Sequence, residues 1–446
     1  MSTDDVEYDE FCDPNNPRKI KYEDIVAASK RILGAVIRTP CTKANMSEKL
    51  GMELYLKMEF LQYTGCFKER GVRSTLTTLS DEQKKYGVIT SSTGNHGIAV
   101  SYHSTQLGVP CIVVMPVNAP ITKVNKCGRH GAKIIQFGTT LAEAKRHAMT
   151  ISKEKKMMFI NGFDHPHVIE GQGTVGLEIM EQVPAVDAII VPTGGGSLLC
   201  GICIAAKHIK PDTEVYGVET DKTCSMTEAL RKNERIYFAI DSTIADGLGV
   251  NMVGVNTFYN IKGHVDKMVV VKEDWVARGI MHIIEEERLV VEGAGATTLS
   301  AVMAGLFPNL KGKKVVCVLS GGNIDPTILA RALERGMAAE GRLVKFKVTV
   351  TDRPGGMAEL CTMMAGIGVT MRDCVPDRAW VKGDVFSVQL KVIAETRGWD
   401  HTKELIEQIK KNYKEYFFLE VGERQDKTAA TRRGPCLAPN PVCMQK

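Results

Sequence analysis

Ala188-Ile189-Ile190-Val191-Pro192-Thr193-Gly194-Gly195-Gly196-Ser197-Leu198 runs from a continuous apolar segment, through three glycines, into the start of a helical pattern. A strand without polar alternation is buried on both faces, which suits a parallel sheet covered by helices on either side. The three glycines let the backbone approach a phosphate closely, and the N-terminus of the following helix favours its negative charge. A glycine turn holding no ligand would look the same. The order is not the G-x-G-x-x-G dinucleotide pattern, and no lysine stands where a P-loop places one. A nicotinamide dehydrogenase fails on that missing fingerprint.

Working outward, similar apolar segments recur at Val88-Ile89, Cys111–Met115, Lys133–Ile135, Met158–Ile160, Val215–Val218 and Lys314–Leu319, alternating with helical patterns. Tyr22–Leu33 reads as a helix and Glu53–Met58 as a strand. This is an α/β chain, with enough units for two open parallel sheets side by side and ligands beyond the C-terminal strand ends. The character changes around Met337–Gly341. Arg342–Thr351 alternates as a half-buried strand, Asp352-Arg353-Pro354-Gly355-Gly356 is a turn, and Met357–Gly366 is a helix. Val385–Val392 and His401–Asn412 continue as strand and helix. The order β-α-β-β-α-β gives a second, ferredoxin-like α+β module over 342–422. Residues 1–18 are acidic and aperiodic and read as a mobile tail; 423–446 are polar, basic and proline-bearing, and read as a disordered one.

With 446 residues, 44% hydrophobic and 24% charged, the chain has room for a large core in two or three domains. A net charge of +5 without a basic run argues against nucleic acid. No apolar run reaches membrane-spanning length, and Met1-Ser2-Thr3-Asp4-Asp5 is acidic where a targeting peptide would be basic. Thirteen scattered cysteines suit reduced thiols and a cytoplasmic setting. Cys200 and Cys203 have redox or half-zinc spacing but no second ligand pair nearby, so they read as core residues.

Three further segments carry candidate chemistry. Leu61-Gln62-Tyr63-Thr64-Gly65-Cys66-Phe67-Lys68-Glu69-Arg70-Gly71 holds one lysine beside an aromatic residue, just ahead of a helix. Poor solvation lowers the pKa of such an amine and makes it a nucleophile for carbonyls, pyridoxal phosphate among them. Ser91-Ser92-Thr93-Gly94-Asn95-His96-Gly97 joins a strand end to a helix start and suits a carboxylate, with Asn95 able to bond the hydroxyl of a pyridoxal ring; an N-cap with turn glycines is the alternative. Ser320-Gly321-Gly322-Asn323 ends another strand and offers a neutral hydroxyl to a pyridine nitrogen, where Asp or Arg is usual.

Taken together these motifs resemble the fold-type II (tryptophan synthase β-like) pyridoxal phosphate enzymes, specifically the threonine/serine ammonia-lyases with one C-terminal ACT regulatory domain. The resemblance runs from about residue 20 to 422. It implies a catalytic domain over 19–338 with a small subdomain at about 87–165, and pyridoxal 5'-phosphate as cofactor. Lys68 is then the lysine that holds the cofactor. Phe67, Asn95, Gly194, Gly195, Gly196, Ser197, Leu198 and Ser320 contact it, and Ser92, Thr93, Gly94, Asn95 and His96 bind substrate. Asp352, Pro354, Gly355 and Gly356 match the ACT effector turn, which implies a small amino acid as effector and a homo-oligomer, dimer or tetramer. Cys66 replaces the family's usual serine, and Ser197 replaces a fourth glycine. Thr93 stands where related racemases place a serine, which weakens the racemase reading. Asp221, Thr223 and Ser225 after Glu219 do not clearly reproduce a metal-ligand spacing, which leaves a metal open.

The implied activity is deamination of L-threonine or L-serine by β-elimination, with Lys68 as general base. No acidic side chain in the motifs is an obvious donor to the leaving hydroxyl, so that role falls to the cofactor phosphate. Serine racemization, β-replacement and a catalytically silent cofactor-binding sensor would use the same cofactor residues.

Overall fold

The computed structural model describes residues 9–381 and 384–419. By internal contacts the chain divides into two compact units, meeting in sequence at Ile328 and Leu329. That division comes earlier than the expected boundary at 338. The reason lies in the helix Pro326–Ala339, which buries only Ala332 and Gly336 and pairs Glu334 with Arg372 of the second unit at 2.7 Å.

In chain order the first unit contains β1 (Cys41–Lys43), β2 (Glu53–Met58), β3 (Val88–Ser91), β4 (Cys111–Met115), β5 (Lys133–Gln136) and β6 (Met158–Phe159). It continues with β7 (Ala188–Pro192), β8 (Glu214–Thr220), β9 (Lys267–Val271) and β10 (Lys314–Leu319). They form two sheets, β1-β2-β10-β7-β8-β9 and β5-β4-β3-β6. All pairings are parallel except β1 with β2. The two open parallel sheets are as expected, with β1 added antiparallel at one edge of the larger. The link Ala44–Met52 is too short for the crossover that a parallel pair requires, so the chain turns back on itself. The larger core lies where β7, β8 and β10 meet the helices Pro166–Gln182 and Ser197–Ile209. Cys200 and Cys203 are fully buried there, with burial pushing both thiols up.

Part of the expected N-terminal tail is docked. Cys12 is buried, and the Phe11 ring lies 4.4 Å from that of His165. The Asn256 amide donates to Phe11 O and accepts from Arg18 N, while Asn260 does the same for Arg18 O and Ile20 N. Two side-chain amides thus pair a backbone that has no periodicity of its own. Residues 1–8 and the expected tail at 423–446 lie outside the described residues.

The second unit contains β11 (Leu343–Thr351), β12 (Thr370–Asp377), β13 (Ser387–Glu395) and β14 (Tyr416–Leu419), paired antiparallel in the order β12-β13-β11-β14. One face, with Phe346, Val348, Leu390 and Val392, packs on Leu360 and Met364 of the helix Gly356–Gly366 and on Leu405 and Ile409 of the helix Trp399–Asn412. That is the ferredoxin-like arrangement. The expected strand start at Val385 is corrected to Ser387: Val385 is 93% exposed and Phe386 57%, so neither enters the alternating core pattern.

Candidate active site

The Lys68 segment is stitched to the chain leaving β10 largely through backbone. Phe67 N donates to Ser320 O (3.1 Å), Cys66 bridges Gly321, and Gly322 N donates to Gly65 O (2.9 Å). Lys68 opens the helix Lys68–Thr77. Two residues on, the fully buried Arg70 guanidinium pairs with Glu59 and Glu178, each at 2.7 Å. Lys57 joins the same cluster through Glu178. Losing one partner would strand a buried charge, so the first turn of this helix has one placement.

The Lys68 amine donates to Gly162 O at 2.6 Å and lies 5.1 Å from the centre of the Phe67 ring. Withdrawal from water lowers its pKa to about 8, although Cys66 and Glu292 nearby pull the other way. A substantial fraction of this amine is neutral near physiological pH.

One cleft brings the sequence-derived residues together. Its lining includes Phe67, Lys68, Ser92 to His96, Gly194 to Leu198, and Ser320. The segment from Ser92 leads from β3 into the helix Asn95–Gln106, with Gly94 N donating to Ser92 Oγ at 3.2 Å. Ser91 Oγ is buried beside it without a hydrogen-bond partner among the described residues. His96 is turned into the protein: its Nε2 lies 3.2 Å from Ile160 O, and burial lowers its pKa to about 3, so the ring stays neutral.

The triple glycine follows β7 and opens the helix Ser197–Ile209. A Cβ at Gly195 would stand 2.2 Å from Phe163 Cγ, and Gly196 has φ +98°, so a side chain is excluded by contact at one position and strained at the next. Behind this bend Thr257 Oγ1 donates to Gly195 O (2.9 Å), and Asp164 caps the helix that carries Thr257 by accepting from Val255 N and Thr257 N. The result is a rigid cradle of backbone N–H groups at a helix start, suited to a phosphate. Ser320 ends β10 almost fully buried, its side chain directed to the same cleft.

The motifs left three charged cleft residues unread. Lys123 and Asp246 form an ion pair of 2.6 Å between the β3–β6 side of the cleft and the β7–β10 side. Glu292 is buried beside Asn95, whose Nδ2 donates to both carboxylate oxygens at 2.8 and 3.0 Å. Burial pushes Glu292 up to about 7, with the Asn95 hydrogen bond opposing. A lone acid in the small, apolar run Val290-Val291-Glu292-Gly293-Ala294 was the available signal.

Elsewhere, Glu219 is fully buried and accepts from Met226 N, Thr227 N and Thr227 Oγ1. No group of three or more His, Cys, Asp or Glu among the described residues could hold a metal ion. Asp352, Pro354, Gly355 and Gly356 form a turn of the second unit, between β11 and the helix Gly356–Gly366. The Asp352 carboxylate there is already engaged, accepting from Arg378 Nε and Nη2 at 2.7 and 2.8 Å.

A partly desolvated amine, a phosphate cradle, a neutral hydroxyl and an amide around one cleft fit an aldehyde-bearing, phosphorylated pyridine ring. Comparison with known proteins agrees. Residues 32–321 match the family described as "Pyridoxal-phosphate dependent enzyme". The chain is 38% identical over 387 residues to the L-threonine ammonia-lyase of Thermotoga maritima, a match covering 86% of this chain and 96% of that protein. Among solved structures it resembles the processed form of threonine deaminase isoform 2 from Solanum lycopersicum, with 31% identity and a TM-score of 0.67, covering 75% of this chain and 94% of that one. It also resembles the serine racemase of Dictyostelium discoideum, with 38% identity and a TM-score of 0.65, covering 69% of this chain and 99% of that one. No helix among the described residues is long and apolar enough to cross a membrane. The chain belongs to the pyridoxal-phosphate dependent enzyme family, and pyridoxal 5'-phosphate is its cofactor.

Proposed function

We propose that this enzyme deaminates L-threonine, and with it L-serine, by β-elimination to 2-oxobutanoate or pyruvate and ammonia. The Lys68 amine carries the reading, because its lowered pKa of about 8 lets it both hold the cofactor aldehyde and later act as a base. When bound, the cofactor withdraws electrons from the substrate Cα and so acidifies its proton. Gly194, Gly195, Gly196, Ser197 and Leu198 hold the phosphate, Phe67 and Asn95 contact the ring, and Ser320 offers a hydroxyl to the ring nitrogen. The backbone N–H groups of Thr93 and Asn95, with the Ser91 hydroxyl, which has no hydrogen-bond partner among the described residues, receive the substrate carboxylate. Lys68 Nζ takes the α-proton as the β-hydroxyl departs. One water leaves in the elimination and one enters in hydrolysis, which releases the oxo acid and ammonia.

The second unit, in this reading, binds a small amino acid at Asp352, Pro354, Gly355 and Gly356, within an oligomer, and shifts activity through a coupling of about 1–3 kcal/mol. An effector's ammonium group would have to compete with Arg378 for the Asp352 carboxylate. The catalytic reading is tested by incubating the holoenzyme with L-threonine, L-serine and D-serine, assaying oxo acid and resolving the remaining amino acid on a chiral column. Oxo acid from L-threonine is expected; D-serine formed from L-serine without oxo acid would replace the lyase by a racemase. An amino-acid panel on wild type and Arg378→Ala tests the regulatory reading. A response identical in both would remove the turn from it.

A further inference from the structure

We propose that Glu292 is a positioning residue for the cofactor: its carboxylate decides which end of the Asn95 side-chain amide is presented to the ring hydroxyl. The inference rests on the reading above that Asn95 contacts that hydroxyl.

The argument is the polarity of a hydrogen-bond chain. Lys126 Nζ donates to Asn323 Oδ1 (3.2 Å); Asn323 Nδ2 donates to Thr64 O (2.6 Å) and to Asn95 Oδ1 (2.9 Å). Asn95 Nδ2 then donates to Glu292. An ammonium group only donates and a carboxylate only accepts, so two amides strung between them have one orientation that satisfies both ends. Flipping Asn95 would press its carbonyl oxygen on the Glu292 carboxylate and its NH2 on that of Asn323. Two part-buried contacts would turn repulsive at once.

Glu292 is itself fixed. Its N–H donates to Gly321 O (3.0 Å), and its carboxylate fills the space over Gly321, where a Cβ would lie 2.4 Å from Oε1. Gly321 follows Ser320 and bridges Cys66, so the carboxylate is locked to the same backbone that carries Lys68 and the pyridine-facing hydroxyl. The charged and titratable groups around it are Lys68 and Cys66 on the lysine segment, Lys123 and Lys126 on the helix Ile121–Arg129, and Asp246 opposite Lys123. Ionised Glu292 holds the Asn95 N–H end toward itself, leaving the second N–H of that amide for the ring oxygen. Protonated, it presents an O–H of its own and the preference weakens.

The test uses the full-length protein and two readouts other than turnover: cofactor affinity, from titration of the cofactor-free form, and the bound-cofactor absorbance across about pH 6–9. Glu292→Gln is expected to weaken cofactor binding about 10- to 150-fold, the scale of one charge-assisted hydrogen bond, and to remove a pH-dependent absorbance change present in wild type. Asn323→Asp, which sets an acceptor against Asn95 Oδ1, should produce the same spectral change with Glu292 intact. It keeps the proposal testable if the first variant does not fold. Asn95→Ala separates the two layers. If it alters affinity and spectrum while Glu292→Gln and Asn323→Asp match wild type, the positioning role is overturned. If Asn95→Ala itself matches wild type, the underlying contact of Asn95 with the ring is what fails.

Discussion

The glycine turn ahead of the helix Ser197–Ile209 in the first unit and the one ahead of Gly356–Gly366 in the second have different surroundings. At Gly194–Gly196 the backbone is enclosed: Phe163, Leu248 and Met226 each stand where a Cβ would project. At Gly355, φ is +105° and no atom of the described residues lies within 4 Å of the position a Cβ would take. The first turn is a site by packing, since only bare backbone fits between a fixed wall and a ligand. The second keeps its shape by conformation alone, open to solvent, with the Asp352 carboxylate occupied by Arg378. Enclosure prepays the ordering that a ligand would otherwise impose; an open turn leaves that cost to any ligand it takes.

The largest expected effect falls on the enclosed side. Lys68→Ala removes both the attachment amine and the base, and should lower turnover by at least about 10⁴-fold while abolishing the absorbance of covalently bound cofactor. Retention of either would separate the cleft from the chemistry assigned to it. Next come the glycines as a matched pair. Gly195→Ala forces a methyl group against Phe163 and should cost about 1–3 kcal/mol of stability, seen in denaturant unfolding, together with weaker cofactor binding in a titration. Gly355→Ala pays only for its left-handed backbone, about 1–2 kcal/mol, with basal turnover and cofactor affinity unchanged. Equal effects on cofactor binding would dissolve the distinction between the two turns.

The sequence displays features of this molecule unequally, for physical reasons. β4 and β10 have the expected bounds because buried strands are apolar almost without interruption; β2 has them too, although Glu53 and Lys57 interrupt its apolar run. The glycine loop and Lys68 were visible because their chemistry depends on residue type at a local spacing. β1 escaped notice, being three residues long and set by a short connection rather than by its own pattern. The docking of residues 9–18 depends on Asn256 and Asn260, more than 200 positions away, and no local period encodes it. Glu292 escaped for the same reason: its partners, Asn95 and Gly321, converge only once two sheets are placed. A buried acid is legible through what surrounds it, and a sequence shows only what flanks it.

The smallest expected effect is a difference in pH slope between the units, and its sign follows from burial. Glu219 is fully buried, and desolvation raises its pKa from 4.5 to about 7 against its hydrogen bonds from Thr227 and Met226. Between those two values the folded chain keeps a proton that the unfolded chain has released, so this group's contribution to stability falls as pH rises from about 4.5 to 7. His96 and His165, lowered to about 3 by burial, act in the opposite direction below 6.5, so the readout must be the variant minus the wild type. Glu219→Gln loses hydrogen bonds at every pH, but its deficit should shrink steadily between about pH 5 and 7 in chemical unfolding of the cofactor-free protein. Asp352 has the reverse sign. The Arg378 hydrogen bonds lower its pKa, so the stability it contributes is present above its unfolded value of 3.8 and is lost as pH falls through the folded one. Asp352→Asn should therefore show a constant, small deficit between about pH 5 and 7 that vanishes only in acid. A deficit for Glu219→Gln that grew with pH would mean that the buried carboxylate is held ionised after all, and the contrast between enclosed and open acids would not hold.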